Sequence, residues 1–216
     1  YVVAVTTPGQ CAGIVYDSVF VSVTNGNVAS FKTTAGDTTL CIGENTTLAV
    51  QLQKVIFEED FNAGINSSIW NQVSGGAAGT QCGSISGNAL YFNGAGTRSA
   101  ATNNLNVLNG GSLSFYLKIA SGTAPCEDAD AGEDVVLEYS TNNGGTWTLI
   151  SIYYESLYPN FTIVSVPIPN GALTGATRFR WRQLSNSGAN QDNWVLDDVV
   201  ISTNDNTGFI FNCWPS

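Results

Sequence analysis

An all-β fold with two sheets packed as a sandwich is what this sequence predicts, and three observations predict it. Apolar residues alternate with polar ones or gather in short runs bounded by Gly, Asn, Asp and Pro, and no stretch carries a helical period. Charged residues make up only 11% of the 216 positions, Gly occurs 23 times and Met is absent. An average domain is roughly 25% charged, so this mixture suits strands joined by uncharged turns. From Val55 onward eight strand candidates follow one another at a regular pace, the strand number of a jelly roll.

In order, residues 1–53 carry strand patterns at 1–5, 16–23 and 46–52, separated by Pro8-Gly9, Asn25-Gly26-Asn27 and Gly36-Asp37. These are too few to close a sandwich alone. Residues 54–203 carry strands at 55–61, 89–93, 112–119, 134–140, 147–154, 161–167, 177–184 and 194–202, an eight-stranded jelly-roll sandwich. Alternation within 112–119 and 135–139 marks half-buried strands, with Leu113, Phe115, Leu137 and Tyr139 as core contacts. Residues 204–216 form a tail, a turn followed by the apolar run Phe209-Ile210-Phe211.

Seven basic residues against 17 acidic ones give a net charge of −10, which repels a nucleic-acid backbone. No stretch reaches the roughly 20 apolar residues of a membrane-spanning helix, so no membrane insertion is expected. His is absent, which removes the commonest general base, zinc ligand and serine activator together. The cysteines at 11, 41, 82, 126 and 213 form no CxxC pair, so structural disulfides are expected, as in an extracellular or cell-surface protein. Cys82 with Cys126 closes a loop of about 45 residues inside the jelly roll. Cys11 with Cys41 is the natural second pair, and Cys213 is left over. A first residue Tyr1, without Met or a signal peptide, fits a mature secreted chain or a piece of a longer one.

The carboxylates carry the most chemistry. In Phe57-Glu58-Glu59-Asp60-Phe61 alternation sets Glu58 and Asp60 on one face and Phe57, Glu59 and Phe61 on the other, and it similarly separates Asp197 from Asp198. If the first and last strands of the sandwich are neighbours, acids from both converge at one edge without Lys or Arg and require a cation. Oxygen-only ligands point to calcium, with Asp60 and Asp198 as ligands and Glu58 next. A glycosidase pair drawn from these residues lacks any feature that fixes the carboxyl separation. The acidic run Glu127-Asp128-Ala129-Asp130 with Glu133-Asp134 is either a second cation site or a solvated loop.

Phe57–Phe61, Trp70, Cys82-Gly83, Asn88–Asn93, Cys126–Asp130, Val135–Ser140, Arg178–Gln183 and Asp192–Val199 together resemble a subrepeat of the reelin repeat, over residues 55–203 and in the family's order. The resemblance implies a calcium-binding jelly roll of an extracellular protein and implies no catalysis. Ser140–Trp147 resembles an Asp-box hairpin with Asn142 in place of the Asp, whose physical use is a tight turn with Trp147 packed beneath it. Residues 1–53 resemble the closing strands of one bacterial immunoglobulin-like surface repeat followed by the opening of the next. An ending that precedes a beginning leaves apolar edges uncovered within that segment.

Arg178, Arg180 and Arg182 alternate with Phe179, Trp181 and Gln183. Either this strand lines a glycan groove, with Trp181, Arg178 and Arg180 as contacts, or the Arg row faces solvent with Trp181 in the core. The sequence thus predicts a non-enzymatic extracellular structural or adhesive protein. Its favoured role is the subunit of a self-assembling filament or a segment of a bacterial adhesin, a head-to-tail homopolymer formed by strand exchange through residues 1–24. A calcium-dependent module binding surface glycans is the alternative.

Overall fold

The computed structural model describes the backbone of residues 2–6, 14–18, 28–35 and 46–213 and the side chains of 53–205. The chain divides into two compact units, 1–55 with 204–216, and 56–203. In the first, β1 (Val2–Thr6) pairs antiparallel with β2 (Ile14–Ser18), Val2 opposite Ser18. Among the described residues these two strands pair only with each other. β3 (Val28–Ala35) runs antiparallel to the first part of β4 (Thr46–Glu59), Phe31 opposite Leu52. The segments that hold Cys11, Cys41 and much of the immunoglobulin-like motif lie outside the described residues, as does the side chain of Cys213.

The second unit is a jelly-roll sandwich of two antiparallel sheets. One sheet has the order β11-β10-β13-β8-β5, formed by β5 (Trp70–Ser74), β8 (Ser99–Thr102), β10 (Val135–Ser140), β11 (Thr148–Tyr153) and β13 (Arg178–Gln183). In the other, β12 (Thr162–Pro167), β9 (Gly111–Ile119), β14 (Trp194–Cys213) and β4 are neighbours in that order; β7 (Ala89–Phe92) also pairs with β14, and β6 (Gly76–Gly79) with β7. From β8 to β10 and again from β11 to β14 the chain changes sheet at every connection, which winds the strands around one core.

The expected alternation is present in β9, where Leu113, Phe115, Leu117 and Ile119 are fully buried and Ser112, Ser114, Tyr116 and Lys118 are half-buried. Leu137 is also fully buried, and Tyr139 packs against the core from a half-buried position. The centre is aromatic. Trp181 meets Phe115 edge-on at 5.3 Å and Trp70 at 6.0 Å, while Phe92 stacks on Trp194 at 3.8 Å. A second, smaller cluster of Cys82, Ala89, Tyr91, Ala120 and Val195 includes one half of the Cys82–Cys126 disulfide, whose Cα atoms are 4.8 Å apart. The bridge joins positions 44 residues apart, so Cys82→Ser with Cys126→Ser should lower unfolding stability by roughly 3–4 kcal/mol in a denaturant titration.

Four strands were not expected, β3, β5, β6 and β8. β6 and β8, Gly76-Ala-Ala-Gly79 and Ser99-Ala-Ala-Thr102, have no bulky residue to mark an apolar face. Their small residues admit large neighbours, since a Cβ on Gly76 would lie 2.7 Å from the Phe92 ring. The turn expected after Thr203 is not formed, because β14 continues to Cys213.

Candidate functional site

β13 lies at the centre of its sheet with β10 on one side and β8 on the other. Its alternation decides between the two readings of the strand. Phe179, Trp181 and Gln183 are buried, and Arg178, Arg180 and Arg182 are half-buried on the outer face. Trp181 has no exposed surface, so it is a core residue and not a groove contact. The expectation that it touches a glycan is corrected by the same period of two that places the arginines outside.

Register sets Glu138 of β10 opposite Arg180, and its carboxylate accepts hydrogen bonds from both Arg180 (2.9 and 2.6 Å) and Arg182 (3.2 and 3.1 Å). The Arg180 guanidinium also lies 4.1 Å over the Trp147 ring. Burial pushes the Glu138 carboxyl up, but the hydrogen bonds and charges of Arg182 and Arg180 outweigh it and hold the group below its ordinary 4.5. A depressed carboxylate contributes stability above its unfolded pKa and loses it as pH falls through the folded one. Glu138→Gln should therefore cost about 1–2 kcal/mol near neutral pH, and the difference from the parent should vanish in strong acid in melting curves recorded across pH.

Arg178 is held differently. Its Nε donates to Asn104 Oδ1 (2.9 Å), and Nη1 donates to Asn71 Oδ1 (2.9 Å) and to the Asn143 carbonyl (3.0 Å). Asn143 belongs to the Asp-box-like turn, where Asn142 does what an Asp would do. Its Oδ1 accepts from Thr146 N (2.9 Å) and Ser140 Oγ (2.9 Å), and Ser140 Oγ accepts from Gly144 N (2.9 Å). Asn143 and Gly144 adopt positive φ, at 59° and 88°, and Gly144 packs over the Trp147 ring. At the other end of the Arg row a cavity of about 450 Å³ is lined by Arg182, Gln183, Gly96, Thr97 and the loop 184–188.

The acidic corner lies where β4 and β14 are neighbours. Glu59 is buried and structural, with Oε1 accepting from Phe61 N (3.2 Å) and Oε2 from Asn66 N (3.0 Å) and Trp70 Nε1 (3.3 Å). Asp60 is exposed and accepts from Asn62 N and Nδ2, both at 3.0 Å. Asp197 has no exposed surface and accepts from Ile85 N (2.7 Å) and Asp198 N (2.9 Å). Strict alternation of Asp197 and Asp198 is not observed. A β-bulge against β9 lies between Asp197 and Val200, and Asp198 takes a φ of 44°, so Leu196 and Val199 both reach the core.

The carboxyls of Asp197 and Asp198 are both raised, first by burial, and in each case the Asp60 charge adds to the rise. Among the described residues no Lys or Arg contributes to either shift. Asp60, Asp197 and Asp198 therefore lie within electrostatic reach of one another. Glu58 is exposed and, among the described residues, shares no interaction with them. The corner also has room for close approach. Gly87, at a φ of 63°, stands where a Cβ would collide with Asn62 Oδ1, which accepts from Asn88 N at 2.8 Å. All-oxygen donors are what calcium takes, but among the described residues it is the ligand oxygens of Asp130, Glu133 and Asp192, and not those of Asp60, Asp197 and Asp198, that gather within 4.8 Å.

A third polar group was missed in the sequence. Arg98 is fully buried and donates to Gly94 O (2.7 Å), Gln183 Oε1 (3.1 Å), Asp192 O (2.6 Å) and Gly188 O (2.6 Å). Burial lowers its pKa, while Asp192, Tyr91, Glu133 and Glu127 counter the shift. Ligand oxygens of Asp130, Glu133 and Asp192 come within 4.8 Å of one another. Glu133 is raised by burial first and then by its hydrogen bond to Asp192. Glu133 and Asp134 are buried, so they are not part of a solvated loop. The available signal was an arginine set among small residues in a chain with only seven basic ones.

A disulfide-stapled jelly roll with an acidic corner between its first and last strands defines the class, a β-sandwich module suited to an oxidising compartment. The chain belongs to the reelin subrepeat B family, whose model matches residues 75–202, more than half of the chain. Among the described residues no helix is long and apolar enough to cross a membrane. Similar solved structures include a family 16 carbohydrate-binding module, with TM-score 0.44 and 14% identity over 66% of this chain and 94% of the other. The CBM22-1 xylan-binding domain of Paenibacillus barcinonensis Xyn10C has TM-score 0.49 and 12% identity over 68% and 93%. A family 61 module in complex with β-1,4-galactotriose has TM-score 0.41 and 15% identity over 70% and 93%.

Proposed function

We propose that the chain is a non-enzymatic extracellular module that binds glycans on the outer face of the β11-β10-β13-β8-β5 sheet. One observation carries this reading. Three of the chain's seven basic residues stand in alternate positions on the outer face of one central strand, and that row ends at a cavity lined by polar side chains and loop backbone. Open cavities of roughly 300–1,000 Å³ with a few fixed polar groups are where small ligands bind, and the guanidinium row extends the site along the sheet. Affinity electrophoresis against a panel of polysaccharides tests it. Binding that weakens about tenfold in Arg182→Ala, measured where that variant is still folded, supports the reading, since a charge-assisted hydrogen bond is worth that much. A folded protein that binds no polysaccharide overturns it.

Calcium at the acidic corner belongs to the same proposal. Asp60, Asp197 and Asp198 would hold the ion, which supplies the positive charge that this corner lacks and joins the start of the sandwich to its last strand. A ligand that binds only the folded state stabilises by about 2.7 kcal/mol at 100 times its Kd, so a chelator should lower Tm by several degrees. Asp198→Asn should abolish that response and raise the Tm of the chelated protein, because it removes one of the mutually repelling charges. Equal melting of the parent with and without chelator counts against the site.

Self-assembly is the second reading, favoured by the two-stranded β1–β2 sheet, neither of whose strands has another neighbour among the described residues. Negative-stain microscopy of the full chain should then show regular fibres, and deletion of residues 1–24 should abolish them.

A further inference from the structure

We propose that the glycan taken by this face is acidic and that Arg178 is the residue that reads its charge; this rests on the glycan-binding reading above. The three guanidinium groups of β13 are not equivalent. Arg180 and Arg182 share the Glu138 carboxylate, which neutralises half of their joint charge and occupies the Nε–Nη2 edge of each. Among the described residues Arg178 has no carboxylate partner. Its three bonds go to the neutral oxygens of Asn104, Asn71 and Asn143.

Those acceptors come from three separate segments, β5, the loop after β8, and the turn between β10 and β11. Two of them are tied together, since Asn104 Nδ2 donates to Asn143 Oδ1 at 2.6 Å. The guanidinium is thus fixed in direction without being neutralised, and its Nη2 amino group takes none of these bonds. A pre-aimed cation needs little further ordering to meet an oxyanion.

The surroundings preserve that charge. In a chain of 17 acidic residues, the stretches 61–97, 99–117 and 139–154, which supply all of the Arg178 contacts, contain no Asp, Glu, Lys or Arg. Positive potential at this end of the face is therefore uncancelled by near neighbours, although the whole chain carries −10. A neutral sugar would use it only through hydroxyl dipoles. A uronate carboxylate or a sulfate ester, each an oxyanion beside hydroxyls, would accept from Arg178 Nη2 while the Asn71 and Asn104 amides meet the hydroxyls.

The test is binding of the full chain to polygalacturonate, to a sulfated galactan and to a neutral galactan, at about 20 and about 300 mM salt. Expected is an affinity about tenfold higher for at least one acidic polymer than for the neutral one, weakening with salt, and the two acidic arms identify the oxyanion. Arg178→Gln should remove the preference. Because Arg178 also ties three segments together, Asn104→Asp is the second variant. It retains the acceptor and places a carboxylate against the guanidinium, while giving up the Nδ2 bond to Asn143 Oδ1, so it should remove the preference in a protein that still folds. Equal affinity for acidic and neutral polymers, or a preference that survives both substitutions, overturns the role of Arg178 and leaves glycan binding standing. Absence of binding in every arm overturns the glycan-binding reading itself.

Discussion

Trp181→Ala should cost about 3–5 kcal/mol of unfolding stability, the range for removing a large buried aromatic side chain. The indole fills the centre of the sandwich and is in edge contact with Phe115 of β9 and Trp70 of β5, so its removal opens a cavity that two sheets border. Its Nε1 makes no hydrogen bond to protein, so Trp181→Phe loses volume but no polar partner and should cost much less. Urea denaturation of the two variants separates this from a surface role. A glycan contact would give the opposite result, with full stability and lost binding.

Arg98→Ala should be comparably destabilising, by about 3–5 kcal/mol, for a different reason. The guanidinium satisfies four oxygens drawn from Gly94, Gln183, Gly188 and Asp192, and the charges of Asp192, Glu133 and Glu127 act on it. Without it those oxygens lose their donor and the acids face one another unopposed. Arg98→Lys supplies charge but not the planar fork, so it should recover only part of the loss. If Arg98→Ala unfolds within about 1 kcal/mol of the parent, the network contributes little and the loops that it joins are held by other means.

Much of the fold was legible because strands have a period of two, and that period is visible wherever large and small residues alternate. Ser112–Ile119 and Arg178–Gln183 announce both their existence and their inward faces. Where every residue is small, as in Gly76–Gly79 and Ser99–Thr102, the period has nothing to modulate, and those strands emerge only from the bulky neighbours packed over them. The site was legible by half. Converging acids and a row of arginines can be seen in sequence, and so can the Cys82–Cys126 bridge. Which tryptophan faces inward depends on strand phase, and Asp197 entered the acidic corner through a local bulge that Asp-Asp does not signal. Arg98 was hidden because its partners are main-chain carbonyls and a glutamine, three of the four contributed by residues about 85–94 positions away.

The bulge in β14 also sets where this chain tolerates insertions and deletions. Elsewhere in a paired strand, loss of one residue inverts every later side chain, sending core residues to solvent and polar residues inward. At Asp198 the inversion is already built in, since Leu196 and Val199 face the same side across an extra residue. Deleting Asp198 would restore simple alternation and keep Val199 and Ile201 in phase with β9, at the cost of one acidic group. The strand thus carries a spare position at its most charged point, and a length change that is ruinous a few residues away is there a change of chemistry alone.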